Sequence, residues 1–283
     1  FTGTRLVQVI QGAAILTLVL NVVALWKQEA RKTASVDADG PQPRFAETWA
    51  AFTARPGTRR LLLAIGAGAG AFAMQDALLE PYGGEILGLS VGSTTSLTGA
   101  WALGALVAFG LCARQLPNGA DPLRLAGIGA VTGVAAFLMI LFAAPLASTT
   151  LLFAGAAAIG FGTGLFSVGT MIAAMALAKD GAAGIALGAW GAVQASCAGL
   201  GIALGGLIRD GMASVALADG LGATLADRAT GYGSVYTLEI IMLLGTLVVL
   251  GPLVGTGRAL AAGSVAGSTV GPARRFGLQE FPA

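Results

Sequence analysis

The sequence predicts an all-α fold, a polytopic membrane helix bundle with seven helices crossing the bilayer. Three observations predict it. The 283 residues are 55% hydrophobic and 11% charged, with a mean hydropathy of +0.81, values outside the range of soluble domains. Seven apolar stretches are each long enough for a hydrocarbon core of about 30 Å, which takes roughly 20 residues. The 44 glycines are too many for loops and recur inside those stretches.

The spans fall near Thr2–Trp26, Arg60–Leu79, Val91–Ala113, Leu123–Ala144, Thr150–Ala178, Gly184–Ile208 and Ser234–Thr256. Span one carries Gln8 and Gln11 two to three turns from its start. Residues 27–58 form the one long polar linker; Pro41 and Pro43 break its middle, and Phe45, Trp49 and Phe52 follow at i, i+4, i+7. That pattern suits a helix on the membrane interface or a docking site for a partner. Span two runs into Gln75, Asp76 and Glu80, with Asp76 and Glu80 on one helical face, and Pro81, Gly83 and Gly84 are expected to stop it there, leaving Glu85 hydrated. Between spans three and four, Ala113–Leu123 holds Arg114 and Asp121 beside Pro-Asn-Gly.

Small-xxx-small pairs mark the later spans: Gly129 with Gly133, Gly160 with Gly164, Gly184 with Gly188, Gly201 with Gly205, after Gly66 with Gly70 in span two. Lipid supplies no hydrophobic force between helices, so close backbone approach holds them together; a flat wall for a large ring is the alternative use. In span six, Trp190 and Gln194 lie one turn apart, suited to an interhelical hydrogen bond or a ligand contact. The 25 residues Arg209–Gly233 are expected to be a long external loop. It leads to Tyr232, Tyr236 and Glu239 at i, i+4, i+7. An interfacial aromatic belt accounts for the tyrosines, and not for Glu239. Residues 257–283 form a tail.

Orientation follows from Lys and Arg. Of the sixteen, Lys27, Arg31, Lys32, Arg44, Arg55, Arg59, Arg60, Arg114, Arg124, Lys179, Arg258, Arg274 and Arg275 share one side, leaving Arg5, Arg209 and Arg228 on the other. The first side is cytoplasmic by the positive-inside rule, and the C-terminus with it. Gln8, Gln11, Gln75, Asp76, Glu80, Glu85 and Glu239 then lie in the external half of the membrane or at its outer surface. A carboxylate at the centre of a membrane helix costs roughly 2.5–3.5 kcal/mol, so these groups call for partners. The two cysteines, Cys112 and Cys197, lie in apolar segments and read as small hydrophobes. With no histidine, zinc, haem and Ser-His-Asp chemistry lose their usual residue, and no constellation implies an enzyme. A net charge of +2 gives no reason to expect nucleic acid.

The runs RLVQVIQGAA at Arg5–Ala14, MQDALLEPYGGEILGLSVG at Met74–Gly92, GAWGAVQA at Gly188–Ala195 and TGYGSVYTLE at Thr230–Glu239 resemble the PucC and LhaA group of the major facilitator superfamily. The resemblance implies a twelve-span fold, with residues 1–26 as the last helix of an N-terminal half, 27–58 as a cytoplasmic linker and 59–256 as the C-terminal six-helix bundle. It implies a multi-pass protein of a bacterial photosynthetic inner membrane that assembles light-harvesting antenna complexes and handles bacteriochlorophyll transiently. Its partners would be antenna polypeptides or the photosynthetic core complex, besides the lipid bilayer. No dedicated metal site of the protein's own is expected. Oxygen ligands suit the pigment's magnesium, so Gln75, Asp76, Glu80 or Glu239 could meet it, with Trp190, Tyr82, Tyr232 and Tyr236 as walls. A proton-coupled carrier of a small solute, with Asp76, Glu80 and Glu239 titrating, is the alternative; a pigment-free scaffold of the antenna is another. In the first case Glu80→Gln is expected to impair assembly more than Glu85→Gln.

Overall fold

The computed structural model describes residues 11–12, 14–22, 45–177, 183–218, 227 and 229–254, and every regular element among them is helical. The chain divides into two units, Phe1–Pro43 and Arg44–Ala283. In the first, helix α1 is described at residues 11–12 and 14–22. It is apolar apart from Gln11, Thr17 and Asn21, and Asn21 keeps its amide inside the helix by donating to the Thr17 carbonyl at 2.8 Å. Gln8, residues 27–44 of the linker, and the tail 257–283 lie outside the described residues.

The second unit starts with α2, Phe45–Thr53, the short aromatic helix of the expected spacing. Phe52 is buried, Phe45 exposed, and Trp49 stacks between them with ring centroids 6.2 Å from each. Then come α3 (Thr58–Ala73), a 3-10 turn (Met74–Ala77), α4 (Leu79–Glu85), α5 (Val91–Gln115), α6 (Pro122–Ala143), α7 (Thr149–Ala176), α8 (Ala183–Leu217) and α9 (Ala229–Leu250). Six stretches among the described residues are long and apolar enough to cross a membrane: Thr58–Glu85, Val91–Gln115, Pro122–Ala143, Thr149–Ala176, Gly184–Ala216 and Ala229–Leu253.

Helix starts follow local chemistry. Ser90 caps α5 by accepting from Ser93 N–H at 3.3 Å, Asp121 caps α6 from Leu123 N–H at 2.9 Å with Pro122 behind it, and Ser148 caps α7 from Leu151 N–H at 3.2 Å. Arginines close two C-terminal ends. Arg60 donates to the Val249 and Val248 carbonyls of α9 at 2.8 and 3.3 Å, and Arg55 to the Leu177 carbonyl after α7.

Helix α7 packs against both α5 and α6, while α3 packs against α8 and α9. Glycine sets these approaches, because the atoms facing it are backbone. A Cβ on Gly129 would lie 2.5 Å from the Gly162 carbonyl oxygen, and one on Gly201 2.5 Å from that of Gly70. Gly184 and Gly188 differ from the other pairs, with nothing within 4 Å of an added Cβ. Phe72 joins the two packing groups, its ring centroid 6.3 Å from Phe137 and 5.8 Å from Phe166.

Two expectations are corrected. The helix does not stop at Pro81, Gly83 and Gly84; it breaks one turn earlier, at Met74–Ala77, and runs helically through all three to Glu85. The proline ring conflicts with the carbonyl four residues before it, here Ala77, so the strain falls in the preceding turn. Pro81 itself sits in the first turn of α4, where an N–H has no intrahelical partner to lose. The chain turns away at Gly88, in the left-handed region at φ 67°, with Leu89 N–H on the Gly83 carbonyl at 3.0 Å. The second correction concerns the expected loop Arg209–Gly233. Helix α8 continues through its first residues to Leu217, and α9 begins at Ala229.

Candidate functional site

Breaking a membrane helix turns its polar side chains and frees backbone groups for other partners. In the turn Met74–Ala77, Gln75 points inward, 2% exposed, and Asp76 points outward. Gln75 Nε2 donates to Asp76 Oδ1 and, at 3.4 Å, to the Phe72 carbonyl. One turn on, Glu80 Oε1 accepts from Thr98 Oγ1 of α5 at 2.6 Å. Gln75, Asp76, Leu79, Glu80, Thr98 and Trp101 line a cavity of about 250 Å³. Its two carboxylates thus line one cavity across the break, each oriented by a neutral donor, and no Lys or Arg is in its lining.

Glu239 of α9 lies behind the turn, fully buried. The Gln75 backbone amide and the Asp76 carboxylate are its electrostatic neighbours, and neither carboxylate oxygen closes a hydrogen bond. Beyond it the three tyrosines of the chain form one cluster. Tyr82 lies 5.3 Å, centroid to centroid, from both Tyr232 and Tyr236, edge-on to the latter, and Tyr236 stacks on Phe137 at 6.3 Å. The Tyr82 hydroxyl donates to the Ile140 carbonyl at 2.9 Å.

Glu85 is not the freely hydrated carboxylate expected. Its Oε2 accepts from Arg209 Nη2 at 2.6 Å and from the Tyr232 hydroxyl at 3.0 Å, and the Arg209 guanidinium carbon sits 4.6 Å above the Tyr232 ring. This clasp ties α4, α8 and α9 together at one end of the bundle.

The structure therefore brings together Gln75, Asp76 and Glu80 at the cavity, Glu239 behind them, and Tyr82, Tyr232 and Tyr236 beside that. It does not bring Trp190 or Gln194 there. Trp190 Nε1 donates to Thr170 Oγ1 at 3.1 Å, on α7 and about 15 Å along the helix from Gly160, which packs on Trp101. Gln194 lies three turns before Gly205, the residue that packs on Met74 at the break. Gln11 belongs to the separate first unit. Thr98 and Trp101 are site residues that the sequence reading did not single out; the run STTSLTGAW places both on one face of α5, and that spacing was the available signal. Among the described residues no group of three or more His, Cys, Asp and Glu gathers as a metal site.

Six crossing helices with an acid-lined cavity at a helix break define a multi-pass membrane protein that presents oxygen acceptors from its own spans. The chain matches the PUCC protein family over residues 1–258, and it belongs to that family. It is 47% identical, over its whole length, to "Uncharacterized protein in puhA-bchM intergenic region" of Rhodobacter capsulatus, covering 58% of that protein. Over 74% of its length it is 50% identical to "Protein PucC" of Rhodovulum sulfidophilum, covering 47%. Over 95% it is 29% identical to "Bacteriochlorophyll synthase 44.5 kDa chain" of Rhodobacter capsulatus, covering 60%. The chain thus spans about half the length of the curated relatives it matches. No solved structure matches it.

Proposed function

We propose that this protein is a membrane assembly factor for bacterial light-harvesting antenna complexes and hands bacteriochlorophyll to antenna polypeptides. The observation that carries the reading is the cavity at the helix break, where Asp76 and Glu80 offer carboxylate oxygens and Trp101 forms part of the wall. Magnesium is a hard cation that takes oxygen ligands, so this donor set fits the pigment's metal. The size is consistent with partial enclosure. At about 250 Å³ the cavity falls short of the roughly 300–1,000 Å³ of pockets that bury a drug-sized ligand. A cavity of that size would enclose only part of a pigment, which suits a molecule that must be passed on. Bound pigment would supply light absorption and a magnesium ion for oxygen donors. Asp76 and Glu80 would orient it, Gln75 and Thr98 holding their carboxylates in place. No residue here is assigned a catalytic step. Membership of the PUCC family and the names of the relatives support the photosynthetic setting.

A proton-coupled carrier of a small solute is the second reading, favoured by the unpartnered carboxylate of Glu239. One experiment separates the two. The full chain is purified from a pigment-making host and its absorption spectrum is compared with those of Asp76→Asn and Glu80→Gln. Bound bacteriochlorophyll lost in both variants supports handling; a colourless protein whose proteoliposomes move protons with a solute supports the carrier. A colourless protein that co-purifies with antenna subunits points to a pigment-free scaffold.

A further inference from the structure

Behind the cavity the fold gathers polar atoms that it does not itself satisfy. Glu239 is 0% exposed and both its oxygens lack a hydrogen-bond partner, as do Gln75 Oε1 and the Tyr236 hydroxyl. Gln75 is 2% exposed and Tyr236 0%. These atoms belong to one place. Helix α9 packs on the 3-10 turn, the Gln75 amide and Asp76 are the neighbours that bear on Glu239, and Tyr236 stands one helical turn before it. Native interiors rarely leave several such groups side by side, and each one calls for an explanation.

The donor count says what is lacking. Gln75 Nε2 is committed to Asp76 and the Phe72 carbonyl, so Gln75 offers only its carbonyl oxygen. Glu239 offers two more acceptors. Tyr236 brings a hydroxyl that can accept as well as donate. These four oxygens have two donors at hand, the Tyr236 hydroxyl proton and the Gln75 backbone N–H that bears on Glu239. No arginine or lysine is among the electrostatic neighbours of Glu239; the charged one is Asp76, of the same sign, and Tyr82 and Tyr232 face the site by way of Tyr236. A carboxylate sealed into low dielectric beside a second carboxylate is unfavourable unless positive charge reaches it. One fully buried carboxylate matches one unit of charge, and the absence of three clustered ligands among the described residues speaks against a divalent ion.

We propose that Glu239, Gln75 and Tyr236 form an intramembrane site for one sodium ion behind the Asp76 cavity. The inference goes beyond the pigment reading and stands without it. Gln75 also borders both places, its side-chain nitrogen bonded to Asp76 and its side-chain oxygen buried without a partner.

The test uses the full chain purified in detergent. Its thermal midpoint is followed against sodium chloride, with choline chloride at equal ionic strength as control, and infrared difference spectra are taken between wild type and Glu239→Gln. A sodium site predicts a midpoint that rises with sodium and not with choline, a response abolished in Glu239→Gln. In Tyr236→Phe it predicts a half-saturating sodium concentration at least about tenfold higher, the cost of one hydrogen bond to a charged group. A protonated-carboxyl band assigned to Glu239 that vanishes in Glu239→Gln and persists in saturating sodium would overturn the proposal. So would a midpoint indifferent to sodium. If Glu239→Gln does not fold, the wild-type sodium series and Tyr236→Phe decide alone: no sodium response in the wild type would overturn it.

Discussion

Gly201→Ala and Gly199→Ala lie two residues apart on α8, and Gly201→Ala should be the less stable of the two. A Cβ on Gly201 would lie 2.5 Å from the Gly70 carbonyl oxygen and 3.1 Å from its Cα, whereas one on Gly199 meets nothing within 4 Å. The obstructing atoms are backbone, so they cannot rotate away, and α3 and α8 must separate. Replacing glycine by alanine within a helix gains about 1 kcal/mol at either position. At Gly201 an overpacking cost of roughly 1–3 kcal/mol opposes that gain. The two variants should therefore differ by about 1–3 kcal/mol, and at roughly 2–4 °C per kcal/mol for a unit of this size the melting points separate measurably. Thermal unfolding of both variants in detergent reads the difference. The same crossing runs on to Gly205, which packs on the Met74 carbonyl at the helix break, so Gly205→Ala should also disturb the cavity. Equal melting points for Gly199→Ala and Gly201→Ala would refute the claim that backbone contact sets this crossing.

The clasp at the end of α4 should show coupling in a double-mutant cycle of Glu85→Gln and Arg209→Gln. The Glu85 side chain is 40% exposed, so the coupling should stay below about 1 kcal/mol and fall with salt. Glu85→Gln should then act mainly on stability and Glu80→Gln on ligand handling, separable by melting and by pigment content. Tyr82→Phe removes a buried hydrogen bond to the Ile140 carbonyl and should cost about 0.5–1.5 kcal/mol, with the tyrosine cluster otherwise kept. Ser148→Ala should cost roughly 0.5–2 kcal/mol by removing the cap of α7, whereas Ser96→Ala, a mid-helix hydroxyl bonded to its own helix, should be near neutral.

The spans after the linker were legible in the sequence because uninterrupted apolar length leaves few alternatives. Legible too was the pairing of Asp76 with Glu80: the expected continuous helix put them on one face, and the broken one still lines one cavity with both. The break was misplaced by one turn: a proline announces itself at its own position but acts on the carbonyl four residues earlier. The end of α8 was misread because Met212–Leu217 continues the helix with ordinary helix-forming residues, and only tertiary context distinguishes that from an interfacial loop. Trp190 and Gln194 were drawn to the site by chemistry alone, while the register of α8 on α3, fixed by Gly201 and Gly205, puts them turns away. Thr98 and the Glu85–Arg209 pair depend on how helices distant in sequence lie side by side, which no local pattern reports.

The central claim is that the cavity at the helix break meets the pigment through Asp76, and the absorption spectrum of the full chain purified from a pigment-making host tests it most directly. The account predicts bacteriochlorophyll bands on the wild-type protein that are lost from an equally folded Asp76→Asn variant. Undiminished bands on that variant would contradict it.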